Sequence, residues 1–578
     1  MEKYKNEMTG YPSIDKPWLK YYSSEAISGE LPQKTIYRYI YDCNEKNMDS
    51  IAFKYFGKKI TYAVFFDNIK KTASALSKAG ICKGDIVTIL SLITPETLYC
   101  IYALNYIGAT VNMGYLSLSG EEIIHTVNNT NSKILIVMDV IANKVLDIQD
   151  KLQSKYTVIL QTEDSMPLPI KIFASNKNHK LNNSNCITYK QFIKQYSSNN
   201  LVKENTYQKD SSAMIVYTSG TTGEPKGVVL TNDNINAIAY QYKFMGFEIK
   251  SGQTILTFMP PFLAIGFCLG VHMPFSMGIT EILYPNPNPE IITKQYLKNK
   301  PNLFLAAPTN VMQIIEKNKK KPMRYCKIMA GGGESMSLEQ EDKLNNYLAS
   351  HNSSAIYLGG YGMTEFAATV VANMPVAHKI NTLGIPLCKT VVKVINIESG
   401  RECKYNEIGE LCFHTPSQMK EYFENPVETE NIISKHEDGL LWIHTGDLGF
   451  VDEDGFVHFK GRIKRIYMTK NSDGTIYKVF PARIETELMK LSYINKVAVI
   501  AKTDNSLLKE LIVYLELSTG ITDRHYVLEQ VEKHCKNVLP SHSIPDKYYV
   551  IDKIPVTQSG KTDYRKLENM QQNSVNTI

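Results

Sequence analysis

Paired metal-ligand spacings are missing from this 578-residue sequence. Its 10 cysteines are scattered from Cys43 to Cys535 without one Cys-x-x-Cys pair, which argues against a zinc ribbon and against a disulfide framework. Its 12 histidines form no His-Glu-x-x-His cluster, so no transition metal is expected. An excess of one charge is scarce too: a net +6 from 64 Lys+Arg and 58 Asp+Glu is too dilute to imply a nucleic-acid or acidic-lipid partner. The charged start Met1-Glu-Lys-Tyr-Lys-Asn-Glu has no apolar segment behind it, so no secretory signal is read and the cytoplasm is the expected compartment. A Gly-x-Ser-x-Gly elbow is also lacking.

One stretch, 253–280, lacks charge altogether and has the length of a bilayer span. Pro260, Pro261 and Pro274 break it, Gly266, Gly270 and Gly278 loosen it, and His272 sits inside it. It therefore reads as a buried helix with flanking strands lining a pocket, not as an integral membrane segment.

What is present supports a large folded enzyme. Hydrophobic residues make up 43% of the chain, enough for a sizeable core. Phe66, Ile69, Ala73 and Leu76 recur at helical spacing up to Ala79-Gly80. Apolar runs at 85–92 and 133–139 read as buried strands, and Thr94-Pro-Glu-Thr opens an apolar helix between them. Such alternation predicts a parallel sheet with helices on its faces. Residues 175–200, rich in Asn, Lys and Ser, are expected to be a surface loop, and the basic run 317–321 a solvated helix end. Past Gly461 the pattern changes to short helices (482–491, 523–538) and strands (497–501, 511–517, 547–551). The expected fold class is therefore α/β: a large N-terminal α/β domain of several subdomains, 1–461, and a small C-terminal α+β domain, 462–578. A ligand is expected in the cleft between them.

The most informative segment is Tyr217-Thr-Ser-Gly-Thr-Thr-Gly-Glu-Pro-Lys-Gly227. Gly220 and Gly223 let the backbone turn tightly, Thr218, Ser219, Thr221 and Thr222 add hydroxyls, and Lys226 adds a cation. Together they make a cradle for phosphate oxygens. The segment is no Walker A loop, because it runs from one strand into another and lacks the Lys-Ser/Thr ending.

This loop resembles the signature of the adenylate-forming (ANL) superfamily, which holds acyl-CoA synthetases, peptide-synthetase adenylation domains and luciferases. Four further resemblances follow in the superfamily's order: Tyr361-Gly-Met-Thr-Glu365, His444-Thr-Gly-Asp447, Gly461-Arg462 and Ser559-Gly-Lys561. They span the chain from about residue 35 to 567. The resemblance implies a carboxylic-acid ligase that uses ATP to make an acyl-adenylate and pyrophosphate, then passes the acyl group to a thiol, coenzyme A first among them. It implies roles by position. Lys561 bridges carboxylate and α-phosphate, Thr364 donates to the α-phosphate, and Glu365 holds Mg²⁺. Tyr361 stacks on adenine, though a core tyrosine competes as a reading. Asp447 accepts from the ribose hydroxyls, Arg462 neutralises phosphate or ribose oxygens, and Gly331-Gly332-Gly333 borders adenine and acyl pocket. Lys464 is the hinge about which the small domain swings as a lid.

The resemblance also places Phe262, Ile265 and Gly266 at the acyl pocket. Amino-acid-activating relatives carry an Asp where this chain has Ile265, so a buried substrate ammonium would lack a partner here, at a cost of several kcal/mol. An aliphatic or aryl acid is expected. Two departures are visible: Leu263 stands where relatives have a histidine, and 463–474 is longer than the corresponding loop, with Gly474 standing for its glycine. The alternatives are a stand-alone adenylation protein loading a carrier protein's phosphopantetheine arm in trans, and a non-catalytic nucleotide binder. Asp452-Glu-Asp454-Gly455 reads as a hairpin turn rather than a calcium loop, and Ser417-Gln-Met-Lys420 as a chance match to Ser-x-x-Lys.

Overall fold

A computed structural model describes residues 8–174, 186–196, 202–218, 225–318, 321–332, 336, 338–465, 467–470, 476–504, 507–518, 520–521, 523–557 and 561–573. Two large sheets organise the first two-thirds of the chain. In the eight-stranded sheet, six strands run parallel in the order Ser212–Tyr217, Thr110–Met113, Ile86–Leu90, Ile134–Met138, Tyr156–Leu160, Cys186–Thr188. Gly227–Thr231 and Glu421–Tyr422 extend it antiparallel. The nine-stranded sheet also has a six-stranded parallel centre: Tyr357–Tyr361, Ile328–Gly332, Leu303–Leu305, Thr254–Thr257, Thr280–Leu283 and Ile51–Tyr55. Parallel strands buried on both faces need continuous apolar runs, which is what Ile134–Met138, buried at every position, supplies.

The helices between strands start and stop where their local chemistry says. Thr94 accepts from the Thr97 N–H, Pro95 occupies the first turn, and Gly108 ends Pro95–Ile107 at φ 90°. All residues of that helix are buried between layers. The uncharged stretch resolves into strand, helix and strand, as expected, but with one turn of its own. Ile265–His272 is a π-helix. A β-carbon on Gly266 would lie 2.0 Å from the Pro260 carbonyl oxygen, so the wide turn closes only on glycine. His272 within it is buried, 3.2 Å from the Tyr102 hydroxyl and 2.9 Å from Asn236 Oδ1, and desolvation pulls its pKa down to about 3. It is a neutral core histidine. No helix among the described residues is long and apolar enough to cross a membrane.

The loop expected over 175–200 is not one throughout. Cys186–Thr188 adds an edge strand, and Tyr189–Gln195 is a helix whose cap, Thr188, exchanges hydrogen bonds with Gln191. Cys186, Tyr189 and Phe192 are buried, and these few apolar anchors outweigh the polar composition around them. The rest of that stretch, 175–185 and 197–200, lies outside the described residues, as do 319–320 of the basic run.

Residues 391–462 form a five-stranded antiparallel sheet, Val391–Ile395, Gly409–His414, Leu441–Val451 and Ile433–Lys435, with Val457–Arg462 paired to Leu441–Val451. The 452–455 turn is a hairpin: Asp452 Oδ1 accepts from the N–H groups of Asp454 and Phe456. The last unit is a mixed five-stranded sheet built on Ile494–Asp504 and Leu507–Leu517, with helices Pro481–Leu488, Arg524–Val538 and Tyr564–Asn573 and its own apolar core.

Candidate active site

Antiparallel register sets Asp447 opposite Arg462. Arg462 Nε lies 3.0 Å from Asp447 Oδ1, and the Tyr361 hydroxyl donates to Oδ2 at 2.6 Å. Asp447 is only 1% exposed, and desolvation raises its pKa against the opposing pull of Arg462, the Tyr361 hydroxyl and Lys561. Oδ1 is buried and takes no hydrogen bond among the described residues, since Arg462 lends charge there without an aligned N–H. A buried acceptor of this kind is poised for a hydroxyl donor.

Tyr361 ends its strand beside Ile328–Gly332, so that Gly332 pairs with Gly360 at the carboxyl edge of the parallel sheet, where open α/β sheets bind ligands. The chain then folds back sharply: a β-carbon on Gly362 would sit 2.0 Å from the Ala368 carbonyl oxygen. Thr364–Phe366 forms a 3-10 turn, followed by Ala367 and Ala368 at φ 56° and 142°. Such conformations cost about 1–3 kcal/mol each and gather at functional sites.

Glu365 leaves this turn 5% exposed, its Oε1 accepting from the Tyr422 hydroxyl at 2.6 Å. Lys226 Nζ lies 4.9 Å above the Tyr422 ring and pairs with Glu428. The phosphate-loop lysine and Glu365 are thus linked through one tyrosine. Thr218 and Lys226 close the neck of the loop by Thr218 N–H to Lys226 O at 3.0 Å. Ser219, Gly220, Thr221, Thr222 and Gly223, and Gly333 further on, lie outside the described residues.

Lys561, near the far end of the chain, senses the charges of this site. Its turn is pinned by the Thr557 N–H to Lys561 O hydrogen bond at 2.7 Å and a Val556–Thr562 bridge. Desolvation, then the charge of Arg462, lowers the pKa of the ammonium, while Glu365 and Asp447 pull it back up. Its charge is thus felt together with those of Arg462, Glu365 and Asp447.

Lys464 is exposed in the 3-10 turn Ile463–Arg465. The residues two before and one after it are anchored on opposite sides: Arg462 to Asp447, and Arg465 to Glu485 at 2.8 Å with its guanidinium 3.9 Å from the Tyr564 ring. Phe262 is buried with its ring 4.9 Å from Tyr115, whose hydroxyl donates to the Tyr217 carbonyl at 2.9 Å. Tyr115 therefore joins the apolar segment to the strand that feeds the phosphate loop. Ile265 and Leu263 are half-buried beside it. Tyr115, Tyr422 and Glu428 escaped the sequence reading, because each acts through a partner more than 50 residues away and belongs to no local motif.

Comparison with known proteins agrees with this geometry. The family model described as AMP-binding enzyme matches residues 41–423, and that of the AMP-binding enzyme C-terminal domain matches 483–561. A long-chain-fatty-acid–CoA ligase of Bacillus subtilis (strain 168) is 25% identical over 564 residues, covering 96% of this chain and 97% of the relative. 4-Coumarate–CoA ligase 4 of Arabidopsis thaliana is 26% identical over 533 residues, covering 89% and 87%. In fold, the chain is similar to the crystal structure of anthranilate CoA ligase AuaEII in complex with anthranoyl-AMP: TM-score 0.78, 18% identity, 93% of this chain and 98% of that one. With a family model matched over more than half its length and a C-terminal model matched behind it, the chain belongs to the AMP-binding enzymes, the adenylate-forming superfamily that its motifs resemble.

Proposed function

We propose that this enzyme joins a carboxylic acid to coenzyme A through an acyl-adenylate, and that the acid is aliphatic or aryl. The observation that carries the reading is the cluster of motif residues Tyr361, Asp447 and Arg462, in which the buried Asp447 holds one oxygen without a hydrogen bond, with the charge of Lys561 acting on Asp447 and on Glu365. A carboxylate attacking a phosphate brings two anions together, so fixed positive charge is the main thing a protein can contribute. The unsatisfied Asp447 Oδ1 suits a ribose hydroxyl. Glu365 is the hard oxygen donor that would hold Mg²⁺ on the phosphates, charge neutralisation being what the ion supplies. Lys226, with Thr218 beside it, would meet the outer phosphates, exchanging Glu428 for them. Phe262, Ile265 and Gly266 would line the acyl chain's path. We place the boundary between catalytic body and lid at 461/462 and the compartment in the cytoplasm, in keeping with ten free cysteines.

The specificity follows from Ile265: no acidic side chain stands there to meet an α-ammonium. ATP–pyrophosphate exchange screened over short aliphatic, long aliphatic, aryl and amino acids is expected to respond to the first three classes. A response confined to amino acids would overturn the assignment. Running the thioester step with coenzyme A and with a carrier protein side by side tests the acceptor, and coenzyme A is expected to be used.

The anchoring of Arg462 and Arg465 on opposite sides supports Lys464 as the pivot. A proline there locks φ at 464 and restricts Ile463 before it, removing the torsional freedom a swing needs. Lys464→Pro is expected to slow thioester formation at least about tenfold more than adenylation. Equal losses in the two half-reactions would rule out the pivot.

A further inference from the structure

The antiparallel sheet that carries Asp447 and Arg462 gathers a thiol, an imidazole and a carboxylate that the chemistry above leaves unused. Glu410 and Cys412 are two apart on Gly409–His414 and share a face. Across from them, Leu441–Val451 bulges: Glu410 pairs with Leu448 but Cys412 with His444, and Gly446 inside the bulge has φ 69°. The distorted stretch that presents Asp447 to Tyr361 and Arg462 therefore also sets His444 against Cys412. His444 Nδ1 lies 2.8 Å from Glu410 Oε2 and 3.3 Å from Cys412 Sγ. The ligand atoms of all three residues fall within 4.8 Å of one another. On the other edge of the ring, His444 Nε2 is 2.9 Å from Ser434 Oγ and 3.0 Å from His436 Nε2. The cation nearest in register, Lys393, is engaged elsewhere, 2.8 Å from Asp438 and 4.3 Å over Trp442.

We propose that Glu410, Cys412 and His444 bind a divalent transition-metal ion of the zinc type, clamping Gly409–His414 to Leu441–Val451. The donor set decides the class. A sulfur, an imidazole nitrogen and one carboxylate suit Zn²⁺, whereas Mg²⁺ and Ca²⁺ take oxygens throughout. Tetrahedral zinc, with ligand bonds of about 2.0–2.3 Å, holds its donor atoms ~3.3–3.7 Å apart. The Sγ–Nδ1 separation already matches, and the Nδ1–Oε2 separation opens by less than ~1 Å. Water takes the fourth position. As the metal–sulfur bond forms, the thiol proton leaves to solvent. The imidazole stays neutral with its proton on Nε2, where Ser434 and His436 can accept it and so free the Nδ1 lone pair. Sequence spacing could not announce this site, because its ligands come from two strands 32 residues apart.

The test is titration of metal-stripped protein with Co²⁺ and Zn²⁺. One equivalent of Co²⁺ is expected to give intense tetrahedral visible bands and a thiolate charge-transfer band, and Zn²⁺ should abolish both. The signal should persist when the two exposed thiols are removed (Cys43→Ser with Cys82→Ser) and weaken more than about tenfold in affinity in Cys412→Ser. X-ray absorption at the zinc edge of the unaltered protein needs no variant to fold, and should show one sulfur at about 2.3 Å with nitrogen and oxygen around it. A zinc shell without sulfur, a thiolate charge-transfer band that survives Cys412→Ser, or no stoichiometric binding would each overturn the proposal.

Discussion

Replacing Lys561 by alanine is expected to slow acyl-adenylate formation by about 10²- to 10³-fold, the loss seen when one aimed donor is removed from a charge-developing transition state, or ~2.7–4 kcal/mol. The reason is electrostatic. Half-buried Lys561 comes from near the end of the C-terminal unit, and its charge acts together with those of Glu365, Asp447 and the Arg462 guanidinium. An ammonium there can bridge two anions that otherwise repel. The variant should still turn synthetic acyl-adenylate into thioester, because that step needs no charge between carboxylate and phosphate. Undiminished pyrophosphate exchange, or equal losses in both half-reactions, would remove Lys561 from the chemistry. The lowered pKa adds a sign. As pH rises, Lys561 gives up its proton earlier than a solvent-exposed lysine, so adenylation should fall on the alkaline side, and that limb should vanish in Lys561→Ala.

The second large effect is expected at Asp447. Asparagine keeps the shape and can still accept from the Tyr361 hydroxyl, but it loses the charge that pairs with Arg462 and the acceptor strength at Oδ1. A hydrogen bond to a charged group contributes about 1.5–3 kcal/mol, so Asp447→Asn should raise the KM for ATP by about 10- to 100-fold. The sharper readout is discrimination. Wild-type enzyme should prefer ATP to 2′-deoxy-ATP, and in the variant that preference should collapse toward unity. An unchanged preference would place the ribose elsewhere. Because burial raises the Asp447 pKa, its proton arrives at higher pH than for an exposed aspartate as the solution is acidified. ATP binding in the wild type should therefore weaken on the acid side, and Asp447→Asn should flatten that limb.

Much of the site was legible because its residues announce themselves in short motifs. Tyr361, Thr364 and Glu365 lie within five positions, and their glycine, Gly362, is demanded by the reversal of the chain against Ala368. The strands and helices of the first sheet were equally plain, since buried parallel strands and capped helices leave dense local signals at Ile134–Met138 and Thr94–Pro95. What could not be read was coupling at a distance. Tyr422 reaches Glu365 across 57 positions and Glu428 reaches Lys226 across 202, and neither pair leaves a trace in spacing. Helix Tyr189–Gln195 was hidden for a different reason: its two buried anchors, Tyr189 and Phe192, sit inside a segment whose average composition is that of a loop. The π-turn at Ile265–His272 was hidden because apolar periodicity says helix without saying which helix.

The most direct measurement follows the oxygen. With the accepted acid labelled by ¹⁸O in its carboxylate, one turnover in the presence of coenzyme A should leave one ¹⁸O in AMP and none in pyrophosphate, as attack of that carboxylate on the α-phosphate requires. Label in inorganic phosphate together with ADP would mean an acyl-phosphate route, and would contradict adenylation by Lys561, Glu365 and Asp447.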